Sequence, residues 1–279
     1  MNKNTKLGTL YIVATPIGNL NDISHRALEI LSMVDICAAE DTRKSNILFR
    51  SYEIKTRLVS YHKYSEHEKL DYFISKLKSG KDVALISDAG TPLISDPGYL
   101  LVKKARKLSI KVIPIPGSSS LTAAISVSGL PINRFTFYGF LPRRIKAKRE
   151  LIEFMANDTN TSIIFESAKR IEPFLQSLME VCPEKEVFIA REMTKKYESY
   201  YSGKTYKVLE KISSELKGEF VIVIKGSLDK EKSSLMNKDE RRILKILLEN
   251  MKKKDALLLA SKIFGINKNS IYKDILRKK

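Results

Sequence analysis

The sequence has few of the residues that form disulfides or bind metals. It contains two cysteines, Cys37 and Cys182, three histidines, His25, His62 and His67, and no tryptophan in 279 residues. Two isolated cysteines do not form a disulfide framework, so we expect ordinary reduced thiols. The histidines are scattered without metal-ligand spacing, and we therefore predict no metal site.

Long apolar runs and two common nucleotide-binding motifs are also missing. No stretch approaches the ~20 apolar residues of a membrane-spanning helix. Residues 1–6 lack the apolar centre of a signal peptide, so we expect a cytoplasmic protein. The sequence has neither G-x-G-x-x-G nor a lysine-bearing phosphate loop, which argues against NAD enzymes and P-loop nucleotide hydrolases.

Positive charge, in contrast, is abundant. The chain holds 50 Lys and Arg against 32 Asp and Glu, a formal net charge of +18. This balance favours a polyanionic partner such as RNA, although lysine-rich solvated faces are the alternative. Residues 229–279 alone carry 15 basic and 7 acidic residues. Helical patterns over 238–251, 253–264 and 269–276 predict a small helical segment there, which either contacts RNA or only packs.

The most informative segment is the loop 87–98, Ser-Asp-Ala-Gly-Thr-Pro-Leu-Ile-Ser-Asp-Pro-Gly. It follows the apolar run 83–86, which is typical of a buried parallel strand, and precedes residues 99–105, which have helical spacing. A plain connection needs only a few residues. Ligands of open α/β sheets bind at the carboxyl ends of the strands, so we predict a ligand-binding loop, with a rigid turn as the alternative.

Two other loops have the same setting. Residues 15–20 follow the predicted strand 10–14, and residues 116–120 follow the predicted strand 111–115. The second of these loops leads into a helix of small residues, which lets either a ligand or another element approach closely. Three loops are therefore expected at one edge of a parallel sheet.

Alternating strand and helix patterns predict an α/β protein of two α/β domains. We place the N-terminal domain at 1–132, because the sequence breaks around a Gly-Leu-Pro run at that point. The second domain is placed at 133–228, where closely spaced late strands indicate a mixed sheet. The basic helical C-terminal segment is placed at 229–279.

Several segments together resemble one family, the tetrapyrrole methylases, which use S-adenosylmethionine. Within it, they are similar to the branch of 16S ribosomal RNA 2'-O-ribose methyltransferases, and the resemblance covers nearly the whole chain. One departure is the run Ser118-Ser119-Ser120, where the family usually has Pro, Cys or Ala. The matching segments are 8–20, 38–43, 87–98, 129–131, 139–142 and 190–195.

The resemblance implies an S-adenosylmethionine cleft of tetrapyrrole-methylase type between the two domains, and a homodimer. It also implies methyl transfer to the ribose 2'-hydroxyl of a cytidine, cytidine 1402 by family analogy, in 16S rRNA of the small ribosomal subunit. By the same analogy, the cofactor-binding residues are Ile17, Asp88, Thr91, Ser120, Leu121, Phe165, Ala190 and Met193.

A charged run after the second predicted strand offers the best candidates for chemistry. Glu40 and Asp41 follow the strand 36–39 and are expected at the carboxyl end of the sheet, where a carboxylate can take the hydroxyl proton. Arg43 and Lys44 could bind phosphate beside them. We predict catalytic roles for Glu40, Asp41 and Arg43; an acidic helix cap with a salt-bridging arginine is the equally open alternative.

Two basic clusters are candidate RNA contacts. A predicted loop early in the second half contains Arg143, Arg144 and Lys146, which we expect to bind RNA phosphates. Arg191 and Lys195 belong to a second charged cluster at a strand end. They are predicted RNA contacts as well, with a structural ion-pair role as the alternative.

Two other functions compete with an rRNA methyltransferase. A methylase of a corrin precursor or of diphthamine would share the fold, but such substrates do not need a broad basic surface. A noncatalytic RNA-binding protein would share the charge, but RNA binding alone does not require rigid loops around a ligand cleft.

Overall fold

The structure, a computed structural model, describes residues 6–212, 217–227, 238–268 and 271–272. It contains two five-stranded sheets with helices around them and a helical unit after the second sheet. The predicted α/β fold class with two sheets is thereby confirmed. The predicted domain limits, at 132 and 228, stay predictions.

The first sheet has five parallel strands in the order β3-β2-β4-β1-β5. The strands are β1 (Thr9–Val13), β2 (Ile36–Ala39), β3 (Arg57–Ser60), β4 (Val83–Ile86) and β5 (Lys111–Ile115). The helices that follow them in turn are α1 (His25–Met33), α2 (Thr42–Ser51), α3 (Glu66–Lys78), α4 (Tyr99–Lys107) and α5 (Ser120–Val127).

Helices cover both faces of this sheet, which is why β2 and β4 are apolar and buried along their whole length. Helices α3 and α4 bury Phe73, Leu77 and Leu101 against one face. Helices α1 and α2 bury Leu31 and Phe49 against the other. Each such side chain stabilises the fold by about 1.5–3 kcal/mol. Because the strands are parallel, the carboxyl ends of β1, β2, β4 and β5 meet at one edge.

The second sheet is mixed, with the order β6-β7-β10-β8-β9. Only β6 and β7 are parallel, while β10 runs antiparallel to β7 and β8, and β9 antiparallel to β8. The strands are β6 (Phe135–Phe140), β7 (Thr161–Ser167), β8 (Glu186–Arg191), β9 (Ser199–Lys204) and β10 (Glu219–Ile224). Helices α6 (Ile145–Asn157), α7 (Ala168–Val181) and α8 (Thr205–Lys211) lie among these strands in the chain.

Helix α5 joins the two units. Its buried Ala124 packs in one apolar cluster with Ile163, Val221 and Val223 on the second sheet. The small residues of this helix therefore serve close helix-to-sheet packing, one of the two alternatives that the sequence left open. This contact sets the position of the second sheet relative to the loops of the first.

The C-terminal unit contains α9 (Lys238–Asn250) and α10 (Lys253–Phe264). Leu244 of α9 and Leu257 and Ala260 of α10 form a small apolar cluster with Ile271. Gly265 ends α10 in the left-handed conformation, with φ of 64°. The third helix that was predicted at 269–276 falls largely outside the described residues. No helix of the described part is long and apolar enough to cross a membrane.

One expectation about the basic run after β6 was wrong. Helix α6 begins at Ile145, so Lys146 lies in its first turn rather than in a loop, while Arg144 occupies the N-cap position. The start of this helix was not predicted because the run is basic, whereas acidic residues are the usual signal of a first turn. Helix α8 was not predicted either, because a seven-residue helix gives almost no periodic signal.

A single carboxylate fixes the start of α4. Glu66, the first residue of α3, accepts hydrogen bonds at Oε1 from the backbone N–H groups of Gly98 and Leu100, both at 3.1 Å. The same oxygen accepts the hydroxyl of buried Tyr61 at 3.3 Å. The N-cap of α4 is Gly98, which has no side chain to cap the helix, so Glu66 supplies the cap from another helix.

We expect Glu66→Ala to lower the free energy of unfolding by about 2 kcal/mol, because two helix N–H groups and a buried hydroxyl lose their acceptor. Glu66→Gln keeps one acceptor oxygen and should lose less. Urea titrations measure both, with Glu68→Ala as the control, since Glu68 is exposed in the same turn. Equal losses for Glu66→Ala and Glu68→Ala would contradict the capping role.

Candidate functional site

A cleft lies between the carboxyl edge of the first sheet and the second sheet, with a volume of about 430 Å³. The first unit lines it with the loops after β1, β2, β4 and β5. The second unit contributes the ends of β6 and β7, the start of β10 and the loop after β8. The cleft is therefore formed only where both units meet.

Three loops of the first unit are tied to one another. Thr15 and Gly90 exchange two backbone hydrogen bonds, each 2.9 Å long, which join the loop after β1 to the loop after β4. The hydroxyl of Thr91 donates to the carbonyl of Ser118 at 3.2 Å, which joins the loop after β4 to the loop after β5. These bonds make one rigid wall from loops that are far apart in the sequence.

Asp88 connects the ends of β2 and β4. Its Oδ1 accepts the backbone N–H of Asp41 at 3.0 Å, and its Oδ2 accepts Lys44 Nζ at 2.6 Å. Glu40 closes the connection from the other side, because its Oε2 accepts the backbone N–H of Asp88 at 3.3 Å. Asp88 lines the cleft as predicted, but both of its carboxylate oxygens already hold protein donors.

Of the three predicted catalytic residues, the structure brings only Glu40 into the cleft. Asp41 is the N-cap of α2, and its Oδ1 accepts the backbone N–H of Arg43 at 2.9 Å. The guanidinium of Arg43 pairs with Asp41 Oδ2 at 2.7 Å and holds the pKa of that carboxyl well below its usual range. This is the geometry of the capping alternative for Asp41 and Arg43, and their catalytic roles stay predictions.

Two carboxyl groups in the cleft have raised pKa values. Burial raises the pKa of Glu40, although the backbone N–H of Asp88 opposes the shift. Burial, followed by the negative charge of Glu40, raises the pKa of Asp96 to about 7. Sequence reasoning did not select Asp96. The feature of the sequence that could have pointed to Asp96 is its position as the second aspartate of the loop 87–98, between Ser95 and Pro97.

The loop that carries Asp96 has a strained backbone. Leu93 and Ser95 have φ values of 72° and 79°, a region that side chains with a Cβ rarely enter. Each such residue costs about 1–2 kcal/mol. Gly98, with φ of 132°, ends the loop where an added Cβ would lie 2.6 Å from Leu85 Cδ2. Strain at successive positions of a cleft wall is typical of functional sites.

The opposite wall has the same feature. Glu192 and Thr194, in the loop after β8, have φ values of 49° and 65°. Lys195 Nζ pairs there with Glu192 Oε1 at 2.9 Å and with Glu219 Oε2 at 3.0 Å. An added Cβ on Gly18 would lie 2.4 Å from Lys195 Cγ, so the loop after β1 closes against this wall. Only glycine permits that approach.

The predicted cofactor residues divide into two groups. Leu121 and Ala190 are not among the residues that line the cleft, and their cofactor contacts stay predictions. Both belong to the apolar cluster between α5 and the second sheet, and Ala190 is buried. A strand-end position therefore did not guarantee a place in the cleft. The residues that do line it are Ile17, Asp88, Thr91, Ser120, Phe165 and Met193.

Aromatic rings form one side of the cleft mouth. The ring of Phe165 contacts those of Phe137 and Phe140, with centroid distances of 4.8 and 5.7 Å. Phe140 lines the cleft and yet is 57% exposed. Arg143 and Arg144 follow it closely in the chain and are exposed. An accessible ring is thus placed beside positive charge.

The predicted RNA contacts differ in how far their charges are engaged. Arg143, Arg144 and Lys146 are exposed. The guanidinium of Arg191 instead donates to the carbonyls of Lys217 at 2.9 Å and Tyr197 at 3.1 Å, which is the structural alternative for this residue. Lys195 lies in the cleft wall in its two ion pairs. Among the described residues, no group of three or more His, Cys, Asp or Glu side chains is arranged to hold a metal ion.

The family model of the tetrapyrrole (corrin/porphyrin) methylases matches residues 9–209. Among solved structures, diphthine synthase has a TM-score of 0.60 over 81% of this chain and 93% of its own, at 18% identity. Uroporphyrin-III C-methyltransferase from Thermus thermophilus, complexed with S-adenosylhomocysteine, has a TM-score of 0.56 over 77% and 97%, at 15% identity. At these identities the likeness concerns the fold alone.

Curated relatives are much more similar in sequence. The ribosomal RNA small subunit methyltransferase I of Buchnera aphidicola subsp. Schizaphis graminum is 42% identical over 100% of this chain and 99% of its own. Those of Pseudomonas aeruginosa and Escherichia coli O157:H7 are 42% and 40% identical over 97% and 95% of this chain, and over 98% and 94% of their own. The chain therefore belongs to the tetrapyrrole methylase family and, within it, to the ribosomal RNA small subunit methyltransferase I family.

The Asp41–Arg43 pair predicts a specific dependence of stability on pH. Because the folded pKa of Asp41 lies below its unfolded value of about 3.9, the pair stabilises the protein fully above that pH, and the gain is lost as the pH falls through the folded pKa. Asp41→Asn keeps a capping oxygen without the charge. Urea midpoints should therefore be lower for the variant than for the wild type at neutral pH, and should converge at strongly acidic pH.

Asp71→Asn is the control, because Asp71 is exposed on α3. A gap between wild type and Asp41→Asn that does not change with pH would show that the ion pair contributes nothing.

Proposed function

We propose that the protein transfers a methyl group from S-adenosylmethionine to the ribose 2'-hydroxyl of a cytidine in 16S rRNA, cytidine 1402 by family analogy. The observation that carries this proposal is a cleft lined by strand-end loops. It occurs in a chain that is 42% identical, over its full length, to a named rRNA methyltransferase. The family resemblance also supports a cytoplasmic homodimer, which we include in the proposal.

The residues of the cleft fit a nucleoside with a charged tail. Ile17, Phe165 and Met193 offer apolar surface for a flat ring system. Glu166 is buried in the wall, and its Oε2 accepts no hydrogen bond from the described residues, although it lies 3.2 Å from Arg170 Nη2. Arg170 balances the negative charge of this carboxylate, and the hydroxyl or amino groups of a nucleoside would be suitable hydrogen-bond donors to the polar part of the wall.

Residues from both units would hold the cofactor. Thr91 and Ser120 line the first-unit wall, where backbone and hydroxyl groups are already fixed by the contacts between loops. Phe165 and Met193 line the second-unit wall. Binding would thus bridge the two units and fix their spacing.

The bound sulfonium supplies an activated methyl group for a single displacement, which needs neither a metal nor a covalent enzyme intermediate. The protein has to hold the acceptor oxygen in line, exclude water and accept the hydroxyl proton. Burial of the cleft between two sheets provides the exclusion. The acidic lining around Glu40 favours a cationic centre, because carboxylates stabilise positive charge nearby.

The surface beside the cleft mouth suits a single-stranded nucleotide. The exposed ring of Phe140 can stack on a base, and Arg143 and Arg144 can bind the adjoining phosphates. Such a surface would be unnecessary for a small corrin substrate. This favours the rRNA proposal over the small-molecule alternative.

The direct test is methylation of small ribosomal subunits, or of 16S rRNA, that lack the modification. Purified protein and S-adenosylmethionine should add one ribose methyl group, which nuclease mapping with mass spectrometry assigns to one cytidine. A methyl group on a base, or none on RNA together with transfer to a tetrapyrrole or a protein, would contradict the proposal.

We expect Thr91→Arg to weaken S-adenosylmethionine binding by at least about tenfold, because a long charged side chain would fill the cleft. Calorimetry measures the affinity. Thr122→Arg on the exposed face of α5 is the matched control and should bind normally. Normal binding by a folded Thr91→Arg variant would place the cofactor elsewhere.

The basic surface predicts a salt-dependent affinity for RNA. Each phosphate neutralised on a single strand contributes about 0.7 to the slope of log affinity against log salt. Replacing Arg143 and Arg144 by Glu should therefore reduce the slope by about 1.4 if each binds one phosphate. The control pair Lys104→Glu and Lys107→Glu has the same charge change on α4, towards its end away from the cleft. An equal effect of both pairs would indicate general charge rather than a contact.

A further inference from the structure

Most carboxylates of the cleft are already engaged. Asp88 holds Asp41 and Lys44, and Glu192 Oε1 accepts both Lys195 Nζ at 2.9 Å and the backbone N–H of Glu219 at 2.9 Å. Glu166 Oε1 accepts the backbone N–H of Ser167 at 2.9 Å. Each of these carboxylates holds a backbone N–H or a cation and so stabilises the walls, and such donors make a carboxylate a weaker proton acceptor.

Asp96 is the exception among the described residues of the cleft lining. Its recorded polar side-chain contact is with the Ser87 hydroxyl, and no Lys or Arg pairs with its carboxylate. The negative charges that raise its pKa come from three elements: Glu40 after β2, Asp88 after β4, and Glu219 at the start of β10. The two lysines of the same lining pair with other carboxylates, Lys44 with Asp88, and Lys195 with Glu192 and Glu219. A carboxylate in this surrounding holds a proton more tightly than an ordinary one.

The backbone holds Asp96 in place from both sides. Ser95 before it has φ of 79°, and Pro97 after it has a fixed φ. Gly98 is bound by Glu66, and Ser95 Oγ would lie 3.3 Å from a Cβ on Gly139, where β6 has a bulge against β7. The strained loop thus carries Asp96 to the point where the two units touch.

We propose that Asp96, held in the cleft lining by its strained loop, is the general base of the methyl transfer and that Glu40 is a positioning residue. This inference rests on the proposed function. In the step, the 2'-oxygen forms a bond to the methyl carbon, and the carbon–sulfur bond breaks with its electron pair going to sulfur. The hydroxyl proton goes to the Asp96 carboxylate, so one positive and one negative charge disappear together.

The raised basicity has a physical use. A base is most effective when its pKa lies near the working pH, and the pKa of Asp96 is raised to about 7, first by burial and then by Glu40. An ordinary aspartate, with a pKa of about 3.9, would be a much weaker acceptor for a hydroxyl proton. This arrangement lowers the free energy of unfolding, since a charged carboxylate is held among like charges.

The first test is kinetic and uses Asp96→Asn in the full-length protein. The single-turnover rate of methyl transfer to 16S rRNA should fall by about 10²-fold or more, and its rise with pH through about pH 7 should disappear. S-adenosylmethionine affinity, measured by calorimetry, should stay within about threefold of the wild type. Glu40→Gln should retain more activity, with the pH profile of the rate moved to lower pH.

The second test does not depend on activity. The folded pKa of Asp96 lies above the unfolded value, so its charge destabilises the protein fully above about pH 7, and the penalty fades as the pH falls towards about 4. Asp96→Asn should therefore have a higher urea midpoint than the wild type at about pH 8, and the gap should close towards about pH 4. Carbon NMR of ¹³Cγ-labelled aspartate should show one carboxyl titrating near pH 7, absent in the variant.

The outcomes are separable. A wild-type protein that methylates no RNA refutes the proposed function. A wild type that methylates rRNA, with Asp96→Asn equally active or with its loss explained by weakened cofactor binding, refutes the role of Asp96 alone. Inactive Glu40→Gln beside active Asp96→Asn would make Glu40 the base. Asp71→Asn on exposed α3 controls for the loss of an aspartate.

Discussion

The connection through Asp88 is the interaction on which the cleft depends. One carboxylate accepts the backbone N–H of Asp41 at 3.0 Å and Lys44 Nζ at 2.6 Å, and the backbone N–H of Asp88 in turn donates to Glu40 Oε2 at 3.3 Å. Adjacent parallel strands end side by side, but their loops have no hydrogen-bonding ladder to hold them together. Asp88 supplies that link and keeps Glu40 beside the loop that carries Asp96. The carboxylates of Glu40, Asp88 and Asp96 thereby line one cleft, and Lys44 pairs with Asp88 among them.

Strain and burial supply the rest of the arrangement. Non-glycine residues in the left-handed region occur in both walls of the cleft, Leu93 and Ser95 in one, Glu192 and Thr194 in the other. Such backbone persists only when the surrounding contacts determine it. Here Glu66 fixes one wall through the start of α4, and packing of α5 on the second sheet fixes the distance between the walls. The rigid parts of the fold thus surround the cleft, to which both sheets contribute lining residues.

Much of this could be predicted from the sequence because it is local. The buried strand 36–39 was predicted with the bounds that the structure has, since an apolar run depends on neighbouring residues only. The three loops were found because Gly, Pro and Asp after a strand are a local signal. Ile17, Thr91 and Phe165 line the cleft in agreement with the family resemblance.

What failed depends on contacts between distant segments. Whether Arg43 turns to Asp41 or to the cleft is decided by side-chain geometry, and whether Ala190 faces the cleft or α5 is decided by the packing of two units. The raised pKa of Asp96 arises from burial and from Glu40, 56 positions earlier in the chain, so no local pattern shows it. Sequence reasoning found the loop and selected Glu40, which lines the cleft, but not Asp96.

We propose that the cleft between the two sheets binds the methyl donor with its reacting end towards Asp96. A crystal structure of the protein with S-adenosylhomocysteine would show this arrangement. We expect the nucleoside against Phe165, contacts to the loop containing Thr91, and the sulfur atom open towards Asp96. Electron density outside the cleft, or a sulfur atom directed away from Asp96, would contradict it.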